Sequence, residues 1–252
     1  MSAYDFLVLL GDSITEWGFN QEHGFGWVAR LSHAFISRLT VVNTAVSGYN
    51  TDQAVAKLPV MVPPPSRGRI KILVVFYGAN DARLPDDEGT RQQHVPLERY
   101  RENLAAIVTD ARVKEHNPHI VVITPPPIDE RLCEKNNKEW GVVQIRKAAA
   151  TKAYAEAARE VAEETGAAAL DLWSIFMERA GWKPGDPLQG SKDVEENPEG
   201  LPKLLRDGLH LTVEGEQLLF ESLFNFIKTT WPEEGSLPWV LPRWDDDSWL
   251  QS

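Results

Sequence analysis

Phe6-Leu7-Val8-Leu9-Leu10-Gly11-Asp12-Ser13-Ile14-Thr15 opens with five apolar residues and turns polar at a glycine. A run apolar at successive positions suits a strand covered on both faces of a sheet, not one with a solvent face. Residues 40–43, 70–77, 119–124 and 167–171 share that character, and each run closes on a polar, Gly or Pro signal. Helical patterns fill the intervals. Trp27, Val28, Leu31, Ala34 and Phe35 share one face, as do Leu97, Tyr100, Leu104, Ile107, Val108 and Ala111. Residues 51–58, closed by Pro59, and residues 141–165 and 213–228 complete the helical set, with Thr212 placed to cap the last. Strands alternating with helices predict right-handed βαβ units. The expected fold is α/β, a three-layer α/β/α sandwich with a parallel sheet of about five strands in flavodoxin-like order.

The 252 residues are 42% hydrophobic and 25% charged, an ordinary globular composition that leaves disorder and coiled coils without support. A net charge of −11 repels phosphate backbones and anionic lipid, so neither nucleic acid nor a membrane is an expected partner. The single Cys133, read as lying in a loop after the fourth strand, can form neither an internal disulfide nor a multi-cysteine zinc site. Residues 1–5 carry no positive charge, and the apolar run that follows is too short for a signal-peptide core or a membrane span. A cytoplasmic protein is the expectation.

One domain is expected over residues 1–228, with a tail over 229–252. Trp231, Trp239, Trp244 and Trp249 fall in that tail, interrupted by Pro232, Pro238 and Pro242. The prolines bar one continuous helix, and the aromatics oppose full solvation. The tail is therefore expected to dock on the domain or on a second subunit, the latter giving a homodimer. Residues 181–203, rich in Gly and Pro, read as a long loop near a site.

In an open doubly wound sheet, ligands bind beyond the carboxyl ends of the strands, where strand order reverses. Gly11-Asp12-Ser13-Ile14-Thr15, Ser47-Gly48-Tyr49-Asn50-Thr51 and Gly78-Ala79-Asn80-Asp81 follow the first three strands, and a 2-1-3-4-5 order brings them together around Ser13. A serine attacks a carbonyl usefully only when a base takes its proton and donors receive the oxyanion. Asp207-Gly208-Leu209-His210 supplies the base: the carboxylate reaches Nδ1, leaving Nε2 for the serine proton. Ser13 N–H, Gly48 N–H and the Asn80 amide then form the oxyanion hole. Taken singly, Ser13 reads as a helix N-cap, His210 as a residue capping or packed at a helix start, and Asn80 as a left-handed turn residue; it is their combination with Asp207 and the partner loops that favours the catalytic roles. Asp12 and Asp81 read as acceptors that brace their loops. Trp17 and Phe19 either wall the substrate pocket or pack against Trp27. His23, His33, His94, His116 and His119 lack ligand spacing, so no metal is expected, and no cofactor.

With these residues in place, the chain resembles the SGNH, or GDSL, hydrolases. The resemblance implies Ser13, Gly48, Asn80 and His210 as the four residues that name the family, with Asp207 completing a triad. Gly48-Tyr49-Asn50-Thr51, Gly78-Ala79-Asn80-Asp81-Ala82, Gln93-His94-Val95-Pro96-Leu97, Thr124-Pro125-Pro126-Pro127 and Asp171-Leu172-Trp173 are similar to the isoamyl acetate-hydrolysing esterase branch. Asn43-Thr44-Ala45 stands where relatives carry Asn-Arg-Gly. The resemblance implies a serine carboxylesterase of small, short-chain, acetate-type esters. Acyl transfer or carbohydrate deacetylation by the same triad is the enzymic alternative, and a small-molecule binding module without turnover the non-enzymic one. No Gly-x-Ser-x-Gly elbow points to an ordinary α/β-hydrolase, and no phosphate-binding fingerprint to a nucleotide.

Overall fold

Five parallel strands lie in the order β2-β1-β3-β4-β5: β1 Asp5–Gly11, β2 Leu39–Asn43, β3 Ile70–Phe76, β4 His119–Ile123 and β5 Ala168–Leu170. They are taken from a computed structural model that describes residues 4–22, 24–85, 93–139 and 146–246. This is the expected α/β/α sandwich. The chain steps from β1 outward to β2 and then back across to β3, so the direction of winding reverses between β1 and β3. Leu9 lies level with Asn43 on one side and Val74 on the other, and Gly11 with Phe76, so the loops after these strands leave the sheet side by side.

Alternation along the strands divides the core in two. Leu7, Leu9, Ile72 and Val74 pack with Trp27, Leu31, Leu219 and Leu223 on one face. Phe6, Val8, Leu10, Leu73 and Val75 pack with Leu58, Tyr100, Leu104 and Ala158 on the other. Each such side chain contributes about 1.5–3 kcal/mol on leaving water. Trp27, fully buried, satisfies its ring N–H on the carbonyl of Ile14 at 3.0 Å. That bond ties the Trp27–Ala34 helix to the turn that carries Ser13.

Local differences from the sequence reading have local causes. The helix expected to close at Pro59 runs over Thr51–Met61. A proline there removes a single backbone donor, and Leu58 and Met61 bury their side chains and hold the last turn in place. The helical face expected to extend to Ala111 breaks after Thr109. Asp110 is extended and caps a second helix, Ala111–His116, by accepting the Arg112 N–H at 2.8 Å. Cys133 lies in a helix, Glu130–Glu139, not in a loop; the segment is so charged that one buried face goes unnoticed. The next described helix is Ala148–Thr165, and the expected start at Gly141 falls outside the described residues. The long loop gives way at its end to a helical turn, Leu201–Leu204.

Thr212 caps the Val213–Thr230 helix, accepting the Gly215 N–H at 3.2 Å. Beyond it, the Trp231 ring stacks on His119 at 4.7 Å, Leu237 accepts the Arg38 side chain at 2.8 Å, and Val240 N–H reaches Ser37 at 2.9 Å. Trp239 is half exposed and Trp244 exposed, while Trp249 lies outside the described residues. Among the described residues no helix is long and apolar enough to cross a membrane.

Candidate active site

Ser13 owes its position to its neighbour. Asp12, in extended backbone at the end of β1, accepts the Ile14 N–H at 3.0 Å and so caps the short Ser13–Glu16 helix. The cap function is thereby taken by Asp12. Ser13 Oγ lies 2.9 Å from Nε2 of His210.

His210 sits on a tight turn between Leu205 and Leu211, which form an antiparallel bridge. Asp207 organises that turn. Its Oδ1 accepts the backbone N–H groups of Leu209 and His210 at 2.9 and 2.7 Å, and its Oδ2 faces His210 Nδ1 at 2.7 Å. Burial pushes the Asp207 carboxyl up, but the His210 ring and the two backbone donors outweigh it and hold the group down to about 2. An ionised Asp207 requires the proton on Nδ1, which leaves the Nε2 lone pair facing the serine hydroxyl. Gly208, at φ +86°, makes the turn possible: a Cβ there would lie 2.4 Å from the Asp129 carbonyl and 2.5 Å from Cys133 N. Its own carbonyl accepts the Asp129 N–H at 2.9 Å.

The loops after β1, β2 and β3 are laced together. Val46 N–H reaches Gly11 O at 3.1 Å, and Glu16 accepts both the backbone N–H and the hydroxyl of Ser47. Gly48, at φ +82°, is held through its carbonyl by the Gln93 side chain at 3.0 Å. Asn80 donates from Nδ2 to Tyr49 O at 2.9 Å, and Asp81 accepts the Thr51 N–H at 2.9 Å and the Thr51 hydroxyl. Asp12 and Asp81 thus brace loops. Both are buried, which raises them to about 7 and about 6 respectively.

The expected residues come together unevenly. Ser13, His210 and Asp207 form one hydrogen-bonded chain, and the loops of Gly48 and Asn80 adjoin through Tyr49. Trp17 is partly exposed and its ring lies flat on His210, centroids 4.4 Å apart, with the Arg206 guanidinium 5.0 Å from the same indole. Phe19, also partly exposed, ends the turn Trp17–Phe19. Burial pushes Cys133 up to about 12, so it is a protonated thiol packed against Gly208. Two participants escape the sequence reading. Glu16 directly follows the serine stretch, and nothing in its sequence context links it to Ser47. Arg146 donates to Ala79 O and to Asn80 Oδ1, the latter at 3.1 Å, and no motif spacing connects it to either.

Residues 9–218 match the GDSL-like Lipase/Acylhydrolase family. The chain is 34% identical over 242 residues to an isoamyl acetate-hydrolyzing esterase 1 homolog of Bos taurus, covering 95% of this chain and 87% of that protein. A GDSL esterase/lipase of Arabidopsis thaliana is 33% identical over 246 residues, with 94% and 91% covered. Among solved structures, the acetylxylan esterase Axe2 from Geobacillus stearothermophilus superposes with a TM-score of 0.63 at 21% identity, over 96% of this chain and 99% of that one. A lipase/acylhydrolase from Enterococcus faecalis gives 0.61 at 24% identity, over 90% and 96%. These likenesses in structure share the five-stranded fold. On the extent of the family match and the identity to its curated members, the chain belongs to the GDSL-like lipase/acylhydrolase, or SGNH, family and is a carboxylic ester hydrolase.

Proposed function

We propose that the protein is a serine carboxylesterase that hydrolyses small, short-chain, acetate-type esters through an acyl-enzyme. The observation that carries this reading is the unbroken line Ser13 Oγ, His210 Nε2, His210 Nδ1, Asp207 Oδ2, with steps of 2.9 and 2.7 Å across the two hydrogen bonds. Ser13 attacks the ester carbonyl as His210 takes its proton, and Asp207 holds the imidazole tautomer and faces the charge that forms on it. Ser13 N–H, Gly48 N–H and the Asn80 amide receive the oxyanion. His210 then passes the proton to the leaving alcohol. Water, deprotonated by the same imidazole, releases the acid and restores Ser13.

The preference for a short acyl group draws support from relatives named for isoamyl acetate and from a fold neighbour named for acetylxylan. In that acetylxylan esterase, the catalytic mutants replace a serine, an aspartate and a histidine, the last two three positions apart, as Asp207 and His210 are here. The decisive experiment labels the enzyme with a fluorophosphonate and runs a hydrolysis panel in which acyl and alcohol lengths vary independently. Labelling at Ser13, abolished in Ser13→Ala, together with a kcat/KM that falls as the acyl chain lengthens, is the expected result. Labelling elsewhere, or a rate that rises with acyl length, would refute it. An added alcohol that diverts the acyl group from water would mark acyl transfer.

A further inference from the structure

An asparagine side chain can be turned end for end at almost no steric cost, yet only one orientation offers N–H groups to an oxyanion. In this site each end of the Asn80 amide faces a group with a single hydrogen-bonding role. Arginine carries donors and no acceptor, and Arg146 Nη2 sits 3.1 Å from Asn80 Oδ1. A backbone carbonyl only accepts, and Tyr49 O lies 2.9 Å from Asn80 Nδ2. The oxygen end is thereby committed to the arginine and the nitrogen end to the Gly48 loop. Arg146 also grips the backbone beside the amide, since its Nη1 donates to Ala79 O. One planar fork holds two oxygens of adjacent residues, a geometry that a point charge such as lysine does not reproduce.

The arginine is itself firmly mounted. It precedes the Ala148–Thr165 helix, whose first N–H, from Ala148, is accepted by buried Glu130 Oε1 at 3.0 Å, while Glu130 Oε2 takes Lys147 Nζ at 3.2 Å. Burial disfavours the guanidinium charge and nearby Arg83 opposes it, but Asp12 and Asp207 favour it, and arginine stays protonated under such opposing influences. A cation bonded to the oxygen of an amide draws electron density away from its nitrogen. The N–H left to the substrate becomes a better donor as negative charge builds.

We propose that Arg146 is a positioning residue for ester hydrolysis: it locks Asn80 with its N–H toward the reacting carbonyl and polarises that N–H for the oxyanion. The proposal rests on the reading of Asn80 as an oxyanion donor. Its role is exerted through Asn80, so it belongs to kcat and vanishes when the amide is absent.

The test measures kcat and KM on p-nitrophenyl acetate for wild type, Asn80→Ala, Arg146→Gln, Arg146→Lys and the double variants. Arg146→Gln is expected to lower kcat by about tenfold or more with KM changed less than about twofold. Arg146→Lys should recover only part of the loss, because an ammonium cannot span both oxygens. In the Asn80→Ala background either substitution should cost less than about a further twofold. Guanidinium ion added to Arg146→Ala should restore part of kcat, and should not do so when Asn80 is also alanine. If Arg146→Gln fails to fold by circular dichroism, Arg146→Lys in the two Asn80 backgrounds gives the same comparison. An undiminished Arg146 effect in the Asn80→Ala background, or an effect confined to KM, overturns the proposal alone. An Asn80→Ala enzyme with wild-type kcat overturns the oxyanion assignment and the proposal with it.

Discussion

The indole of Trp17 lies against the imidazole of His210 with 27° between the ring planes. On the proposed mechanism, His210 takes the serine proton, and the imidazolium that forms meets the negative face of that indole, worth about 0.5–1 kcal/mol at a partly exposed site. Trp17→Ala should therefore lower kcat by about two- to fivefold, and Trp17→Phe by less. Steady-state rates on a series of acyl lengths check this. A change in acyl preference at unchanged kcat would show that the ring serves as a pocket wall and not as a histidine support.

Asp207→Asn should combine two losses. The amide can no longer demand the Nδ1–H tautomer, and kcat should fall by about 10³- to 10⁴-fold. The carboxyl of Asp207 is held at about 2 in the folded chain against 3.8 unperturbed, so its stabilisation is complete above about pH 4 and is lost as pH falls toward 2. Its size is about 2 kcal/mol, the group being largely shielded from water. Acid unfolding followed by circular dichroism should lose that component in the variant.

Gly208→Ala places a methyl group where Asp129 O, Cys133 N and Cys133 Sγ already stand within 2.7 Å. The left-handed backbone and the contacts together should cost at least about 1–3 kcal/mol. Because the displaced turn carries His210, kcat should drop alongside the melting temperature. A variant with native kcat and melting temperature would show that the turn accommodates a side chain.

Glu216 accepts the Trp27 backbone N–H at 2.9 Å, and burial pushes its carboxyl up to about 7 despite that bond and nearby Arg206. A carboxyl raised above its unfolded value of 4.5 costs the folded state nothing below that pH. The cost grows between about 4.5 and 7 and is complete above. Glu216→Gln keeps an acceptor for Trp27 without a charge. Its melting temperature should exceed wild type at pH 8 and approach it at pH 5; an equal or larger gain at pH 5 would contradict the assignment.

The sheet was legible because β1, β3 and β4 are apolar at nearly every position, a pattern only a twice-covered strand requires. The hydrogen-bonded chain of Ser13, His210 and Asp207 was legible because the serine directly follows the first strand and the Asp stands three residues before the His, within reach of its ring. Arg146 was not, since its partners lie 66 and 67 positions away and an arginine near a helix start looks like any solvated cation. Glu216 carries no sequence signal for a similar reason: on a helix with Glu214 beside it, nothing but tertiary packing distinguishes the acid that turns inward. The helix of Cys133 is hidden in the sequence because it is mostly charged, and amphipathic periodicity carried by one buried thiol does not stand out.

The bond between Ser13 and His210 closes a loop of 197 positions, from the end of the first strand to the turn before the last long helix. A chain emerging from the ribosome at about 5–20 residues per second displays Ser13 early and His210 only after all five strands have been made. On the proposed mechanism, the nascent polypeptide carries an inert hydroxyl until well after β5 ends at Leu170. Activity on that mechanism waits for the turn that carries Asp207 and His210, and a truncated product ending before residue 207 contributes none.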